Sequence, residues 1–125
     1  MATVSTAKQG AAIGSSLYTV SEASKVPTAV NMDNGTGNII MIEIDNTANS
    51  VASYLNLYDV ASGGTVTVGT TDESYVFMAP ASSRITYACP EGAEYASGLW
   101  ATVVSSPGSA NGPGSTVTAY ILVNT

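Results

Sequence analysis

Asn38-Ile39-Ile40-Met41-Ile42-Glu43-Ile44-Asp45 is the stretch that decides the fold. Branching at Cβ makes its isoleucines stiff and favours extended backbone over helix. With the two-residue period of a strand, Ile40, Ile42 and Ile44 share one face while Ile39, Met41, Glu43 and Asp45 share the other. The first face is expected in a core and the second partly in water. Just before it, Asp33-Asn34-Gly35-Thr36-Gly37 holds residues that tolerate positive φ, which predicts a turn joining this strand to an earlier one.

Similar signals recur towards the C-terminus. Ala52 to Val60 sets Leu55 and Leu57 on one face and Tyr54, Asn56 and Tyr58 on the other, as in a half-buried strand. After Gly63-Gly64, Thr65 to Val68 reads as a short edge-like strand, and Ser74 to Met78 as another that Pro80 ends, because proline cannot donate to a ladder. Arg84 to Cys89 alternates Ile85, Tyr87 and Cys89 against Arg84, Thr86 and Ala88, and Cys89-Pro90-Glu91-Gly92 is expected to turn the chain. Leu99 to Val104 and Thr116 to Val123 complete the set, with Trp100 opposite in face to Leu99, Ala101 and Val103. Between these two lies Ser105 to Gly114, rich in breakers and read as an exposed connection, either a tolerant hairpin or a protruding tip. No helix is expected. About eight short strands with turn signals roughly every 8 to 12 residues predict an all-β fold, an antiparallel β-sandwich of jelly-roll kind. The N-terminal residues, small and polar to about Gly14, have neither strand nor helix period; residues 1–20 are expected to be an extended arm, and 21–125 the β-sandwich domain.

Chemistry is limited by what the composition lacks. The 125 residues include no histidine, the commonest general base and a frequent metal ligand. The one cysteine, Cys89, cannot form an internal disulfide and has no basic partner in sequence other than Arg84 to activate it. No stretch has the spacing of a calcium loop, and Gly35-Thr36-Gly37 and Gly112-Pro113-Gly114 lack the lysine and following helix of a phosphate cradle. The expectation is a protein that is not an enzyme and has no catalytic residue, metal or cofactor. Three basic residues against nine acidic ones give a net charge of −6, which disfavours a phosphate backbone as partner. The longest aliphatic run, Ile39 to Ile42, is too short for a bilayer, and the N-terminus lacks the apolar core of a signal peptide. No nucleic-acid or membrane partner is expected, and synthesis in a cytoplasm is. Only 10% of residues are charged, against about 25% in ordinary domains, and Ser, Thr and Ala exceed a third of the chain. Such a surface loses little side-chain entropy when a neighbour covers it, which suits an assembly subunit.

Seven tyrosines, one tryptophan and one phenylalanine supply the candidate contact residues. Tyr54 and Tyr58 share a strand face; they could stack on a sugar ring, lie under a neighbouring subunit, or pair across strands. Trp100 reads either as core of the second sheet or as an interface anchor.

From Tyr54 onward the order of short motifs resembles a family of small bacteriophage virion proteins. The matching residues are Leu57-Tyr58-Asp59, Thr67-Val68-Gly69, Met78-Ala79-Pro80, and Gly92 through Tyr95 to Gly98-Leu99-Trp100. The resemblance implies a non-enzymatic structural protein of the virion with a β-sandwich domain. On that reading it is a capsid decoration or cement protein, a homo-oligomer held on the major capsid protein by strand faces and the N-terminal arm. Tyr54, Tyr58 and Trp100 are its expected contacts. A tail or fibre component and a glycan-binding module are the alternatives.

Overall fold

The computed structural model describes residues 3–8 and 16–125, and the side chains of residues 6–8 lie outside that description. Nine strands are present among them: β1 (Thr3–Lys8), β2 (Ser16–Glu22), β3 (Val30–Asn34), β4 (Gly37–Asp45), β5 (Ser53–Tyr58), β6 (Tyr75–Ala79), β7 (Arg84–Tyr95), β8 (Gly98–Val104) and β9 (Val117–Asn124). They form two antiparallel sheets, ordered β1-β2-β9-β4-β7 and β3-β8-β5-β6. Strands β2 to β9 pair as a nested hairpin, β5 with β6, β4 with β7, β3 with β8 and β2 with β9, rolled so that β4 meets β9 and β5 meets β8. This is a jelly roll, an eight-strand sandwich of two interleaved Greek keys, with β1 added at one edge.

The sheets bury Tyr18, Val20, Ile39, Ile42, Ile44, Val117, Ala119, Ile121 and Val123 from the first against Leu55, Leu57, Leu99, Ala101 and Val103 from the second. Residue alternation predicted most of this, with one change inside the deciding stretch. Ile40 is an extra residue in β4, because Ile39 faces Val123 and Met41 already faces Leu122. This bulge reverses the alternation, so Ile39 joins Ile42 and Ile44 in the core and Ile40 is half-buried. On the other flank, Cys89 to Gly92 bow outward opposite the same residue: Met41 faces Ala88 and Ile39 faces Ala93. The turn expected at Cys89-Pro90-Glu91-Gly92 is therefore a bulge within one strand that continues to Tyr95. The turn before β4 forms as expected, with Gly35 at φ 107°. Thr65 to Val68 is not a strand but part of a long connection.

The expected arm is also shorter than residues 1–20. Ser16–Glu22 is a sheet strand paired with β9, and its Tyr18 and Val20 lie in the core. Its pattern was masked because Ser16 and Glu22, also buried, are polar. Thr3–Lys8 pairs with β2 as an edge strand, while residues 1–2 and 9–15 lie outside the described residues.

Where the chain leaves the first sheet for the second, between β4 and β5, the buried Asn46 forms a polar knot. Its amide nitrogen donates to the carbonyls of Val51 and Pro80, both at 3.0 Å, and its amide oxygen accepts from Asn49 at 3.0 Å and Ser53 at 2.8 Å. Asn49 in turn donates to the Ser115 carbonyl at 3.1 Å, tying in the β8–β9 connection. Asn46→Ala leaves these buried groups without partners, so urea denaturation is expected to show a loss of about 3 kcal/mol.

Candidate interaction surfaces

The three rings singled out in the sequence lie on the outer face of the four-stranded sheet, in neighbouring register: Tyr58 faces Trp100, and Tyr54 faces Val104 and Met78. The structure does not leave them together at the surface. Tyr58 is 0% exposed, and Tyr54 and Trp100 are half-buried. Asn56, Thr102 and Val104 on the same face are also fully buried. In this conformation the Tyr58 ring is under cover.

The cover is the β5–β6 connection, residues 59–74. The Trp100 indole donates to the Val60 carbonyl at 2.9 Å, and the Asn56 amide donates to Glu73 at 3.2 Å. Val66, Val68 and Thr71 are half-buried, and Gly69 lies beside Ala110 of the β8–β9 connection. Tyr58 and Val104 are buried yet stand outside the inter-sheet core, forming part of a second, smaller layer beneath this strap. Gly98 sits so close to the Val60 and Asp33 carbonyls that any side chain would collide with backbone. The Ser105 to Gly114 connection folds back as well, with Ser105 donating to Asn111 and Gly112 to Lys25 through backbone bonds of 2.8 Å.

Asp59 anchors the start of the strap. Its carboxylate accepts from the backbone amides of Ala96 and Ser97 at 2.8 Å and Gly98 at 3.3 Å, clamping the β7–β8 turn. Burial opposes its charge, but the three amide donors outweigh burial and hold the carboxyl below its usual range. Nearby, the buried Tyr95 hydroxyl donates to Asp33 at 2.6 Å. Burial and then the Asp33 carboxylate push Tyr18 up to about 12 and push Tyr95 up as well.

No such cover lies over the outer face of the five-stranded sheet among the described residues. Its residues form three rows across the strands. Leu17, Leu122, Met41 and Ala88 stand in one row; Thr19, Tyr120, Glu43 and Thr86 in the next; Ser21, Thr118, Asp45 and Arg84 in the third. Leu17, Met41, Glu43, Arg84, Tyr120 and Leu122 line an open concavity of about 370 Å³. Arg84 pairs with Glu43 and, at 3.5 Å, with Asp45, and its guanidinium lies 5.8 Å from the Tyr120 ring centroid. The carboxylates, Glu43 foremost, hold the arginine more firmly charged than usual. Sequence reading placed Met41 on the wet face but missed this apolar row, because Leu17, Met41 and Leu122 lie on strands far apart in sequence, with β2 and β4 brought together only by β9 between them.

Among the described residues no cluster of three or more His, Cys, Asp or Glu side chains is placed to hold a metal ion. No protein-family model matches the chain, and neither a curated protein nor a solved structure matches it significantly.

The Asp59 clamp has a defined pH signature. Its folded-state pKa is depressed, so its contribution is complete above the unfolded value of about 4 and is lost as pH falls through the folded value. Asp59→Ala is expected to lower stability by about 1–3 kcal/mol near neutral pH. The gap between variant and parent in urea titrations is expected to close in acid; a gap independent of pH would assign the loss to packing.

Proposed function

We propose that this protein is a non-enzymatic structural component of a bacteriophage virion, a decoration or cement protein seated on the capsid shell. The observation that carries this reading is the outer face of the five-stranded sheet, where, among the described residues, a half-buried apolar row lines an open concavity on a protein with very few charges. Apolar surface of this kind, rimmed by Thr, Ser and one ion-paired cluster, has the makeup of a contact patch. Two further points support it: the jelly roll is an architecture that viral capsid domains use, and the motifs from Leu57 to Trp100 resemble those of small virion proteins. A fold alone does not fix a function. Here the reading rests on the fold together with the face it presents.

The work such a protein performs is mechanical. Each copy gains modest free energy from covering Leu17, Met41 and Leu122, and repetition over a symmetric shell converts modest contacts into firm retention. The partner is the major capsid protein, with further copies of this chain beside it. Arg84 and Glu43 at the edge of the concavity would orient the docked surface more than they would strengthen it.

The test is co-sedimentation of the purified protein with shells assembled from the major capsid protein of the same genome. Saturable binding at a fixed ratio to shell subunits is expected, and Leu122→Asp is expected to weaken it at least tenfold while leaving the unfolding midpoint within a few degrees of the parent. Parent protein that stays in the supernatant at every concentration would sink the reading. Glycan titration of the same sample would then decide the lectin-like alternative, since jelly rolls also serve as lectins.

A further inference from the structure

Three buried polar atoms have no hydrogen-bond partner: the side-chain oxygen of Asn56, the hydroxyl of Tyr58 and the hydroxyl of Thr102. They are neighbours. Asn56 faces Thr102 across the β5–β8 ladder, and Tyr58 lies two residues along β5 on the same face. Asn56 donates its amide nitrogen to Glu73, which leaves its oxygen as the unpaired end. Burial pushes the Tyr58 hydroxyl up most, and the nearby Asn56 amide and Glu73 carboxylate act on it in opposite senses.

A buried group without a partner costs free energy, and the usual remedies are a protein partner or a trapped water. All three atoms have almost no solvent-accessible surface, so bulk water does not reach them while the cover is closed. Hydrating them from bulk water requires the cover to move. The sheet beneath is fixed, since β5 is paired along both edges, with β6 and with β8.

The strap above is fixed mainly at its ends. The Asp59 carboxylate is clamped to the 96–98 amides and the Asp59 amide donates to the Ser74 hydroxyl, while the Ser74 amide donates to the Leu57 carbonyl. Between those ends, the hydrogen bonds that join the strap to the sheet are Trp100 to Val60 and Asn56 to Glu73. The other bonds within it are local, such as Thr71 and Thr70 to Thr67. Ala61 to Thr65, with two adjacent glycines, is exposed and held by a local turn bond from the Gly64 amide to the Ala61 carbonyl at 2.8 Å.

We propose that residues 60–73 form a hinged strap that opens as a unit from the folded protein, pivoting on its clamped ends and uncovering Asn56, Tyr58, Trp100 and Thr102 to solvent. Opening replaces the two cross bonds and the small apolar contacts of Val66 and Val68 with hydration of three groups that are unsatisfied while the strap is closed. The folded protein thus alternates between a covered and an uncovered outer face on the four-stranded sheet. This inference is independent of the virion reading.

Trp100 is the sole tryptophan, and its indole proton is bonded to the strap itself. Exchange of that proton with solvent, followed by NMR under low denaturant, therefore reports opening. It is expected to exchange well before the β5 and β8 amides and with a much weaker denaturant dependence, because opening exposes far less surface than unfolding. Thr102→Val removes one unsatisfied hydroxyl at nearly constant shape and is expected to slow the exchange roughly tenfold and raise the melting temperature. Tyr58→Phe is expected to act in the same direction. Indole exchange that tracks global unfolding would overturn the proposal. So would destabilisation by both variants, which would mean that the hydroxyls have partners in solution.

Discussion

The Asn46 knot stands at the place where the roll is made. A jelly roll needs the chain to leave one sheet and enter the other without leaving backbone polar groups stranded. At the β4–β5 crossing that demand is met by one buried amide, which serves the Val51 and Pro80 carbonyls with its nitrogen and gathers Asn49 and Ser53 on its oxygen. Through these bonds the end of β4 is held to the start of β5, the end of β6 and the approach to β9. The two β-sheets can then face each other with Ile42 and Ile44 opposite Leu55 and Leu57, and the remaining strands add to an arrangement whose angle is already set. One lateral side of the sandwich, where β6 and β7 are the outermost strands of their sheets, is closed differently. There the edges of β6 and β7 are joined by Tyr75 donating to the Glu94 carbonyl, by Tyr87 donating to the Met78 carbonyl, and by the Phe77–Tyr87 ring pair at 5.2 Å.

The parts of this fold that can be read from the sequence are those where alternation is strict and the buried residues are apolar. Strand β9 meets both conditions, and β4, β5 and β8 meet them along their inward rows, apart from the bulge at Ile40 and the buried Ser53 at the start of β5. Strand β2 meets only the first, because its inward positions run Ser16, Tyr18, Val20, Glu22, and the buried serine and glutamate hide the strand. Strand β3 meets neither: it is short, polar and carries a bulge between Asn31 and Asp33. Asn46, Asn49 and Ser53 read as loop residues, since Asn and Ser favour turns through local bonds. Only a tertiary structure reveals that their bonds run between sheets.

The same limit explains the fate of the aromatic residues. Periodicity correctly sets Tyr54, Asn56 and Tyr58 on one side of β5 and Trp100 on the outward side of β8. What lies over that side is decided by a connection that has no period of its own. The motifs Leu57-Tyr58-Asp59, Thr67-Val68-Gly69 and Gly98-Leu99-Trp100 all belong to this one construction: Asp59 clamps its base, Val68 and Gly69 run across it, and Gly98 and Trp100 receive it. Their physical role is to build and seat a strap, which is why they were legible as a pattern and not as a surface.

The two outer faces of the sandwich differ in their cover. On the four-stranded sheet the strap lies over β5 and β8 at the cost of unsatisfied polar groups and leaves Val76 and Met78 of β6 exposed; on the five-stranded sheet a half-buried row of leucine and methionine lines an open concavity. A protein selected only for stability would have the reverse preference, with apolar residues under the strap and polar ones on the open sheet. Under the strap, Asn56, Tyr58 and Thr102 could be replaced by apolar residues of similar size at a gain in stability. On the open sheet, a polar residue in place of Leu122 would remove exposed apolar surface without disturbing the core, which lies on the other side. Both departures run against folding stability and both fall on broad sheet faces. Under the proposed reading, their common consequence is that the contacts this molecule makes belong to its extended β-surfaces and their coverage.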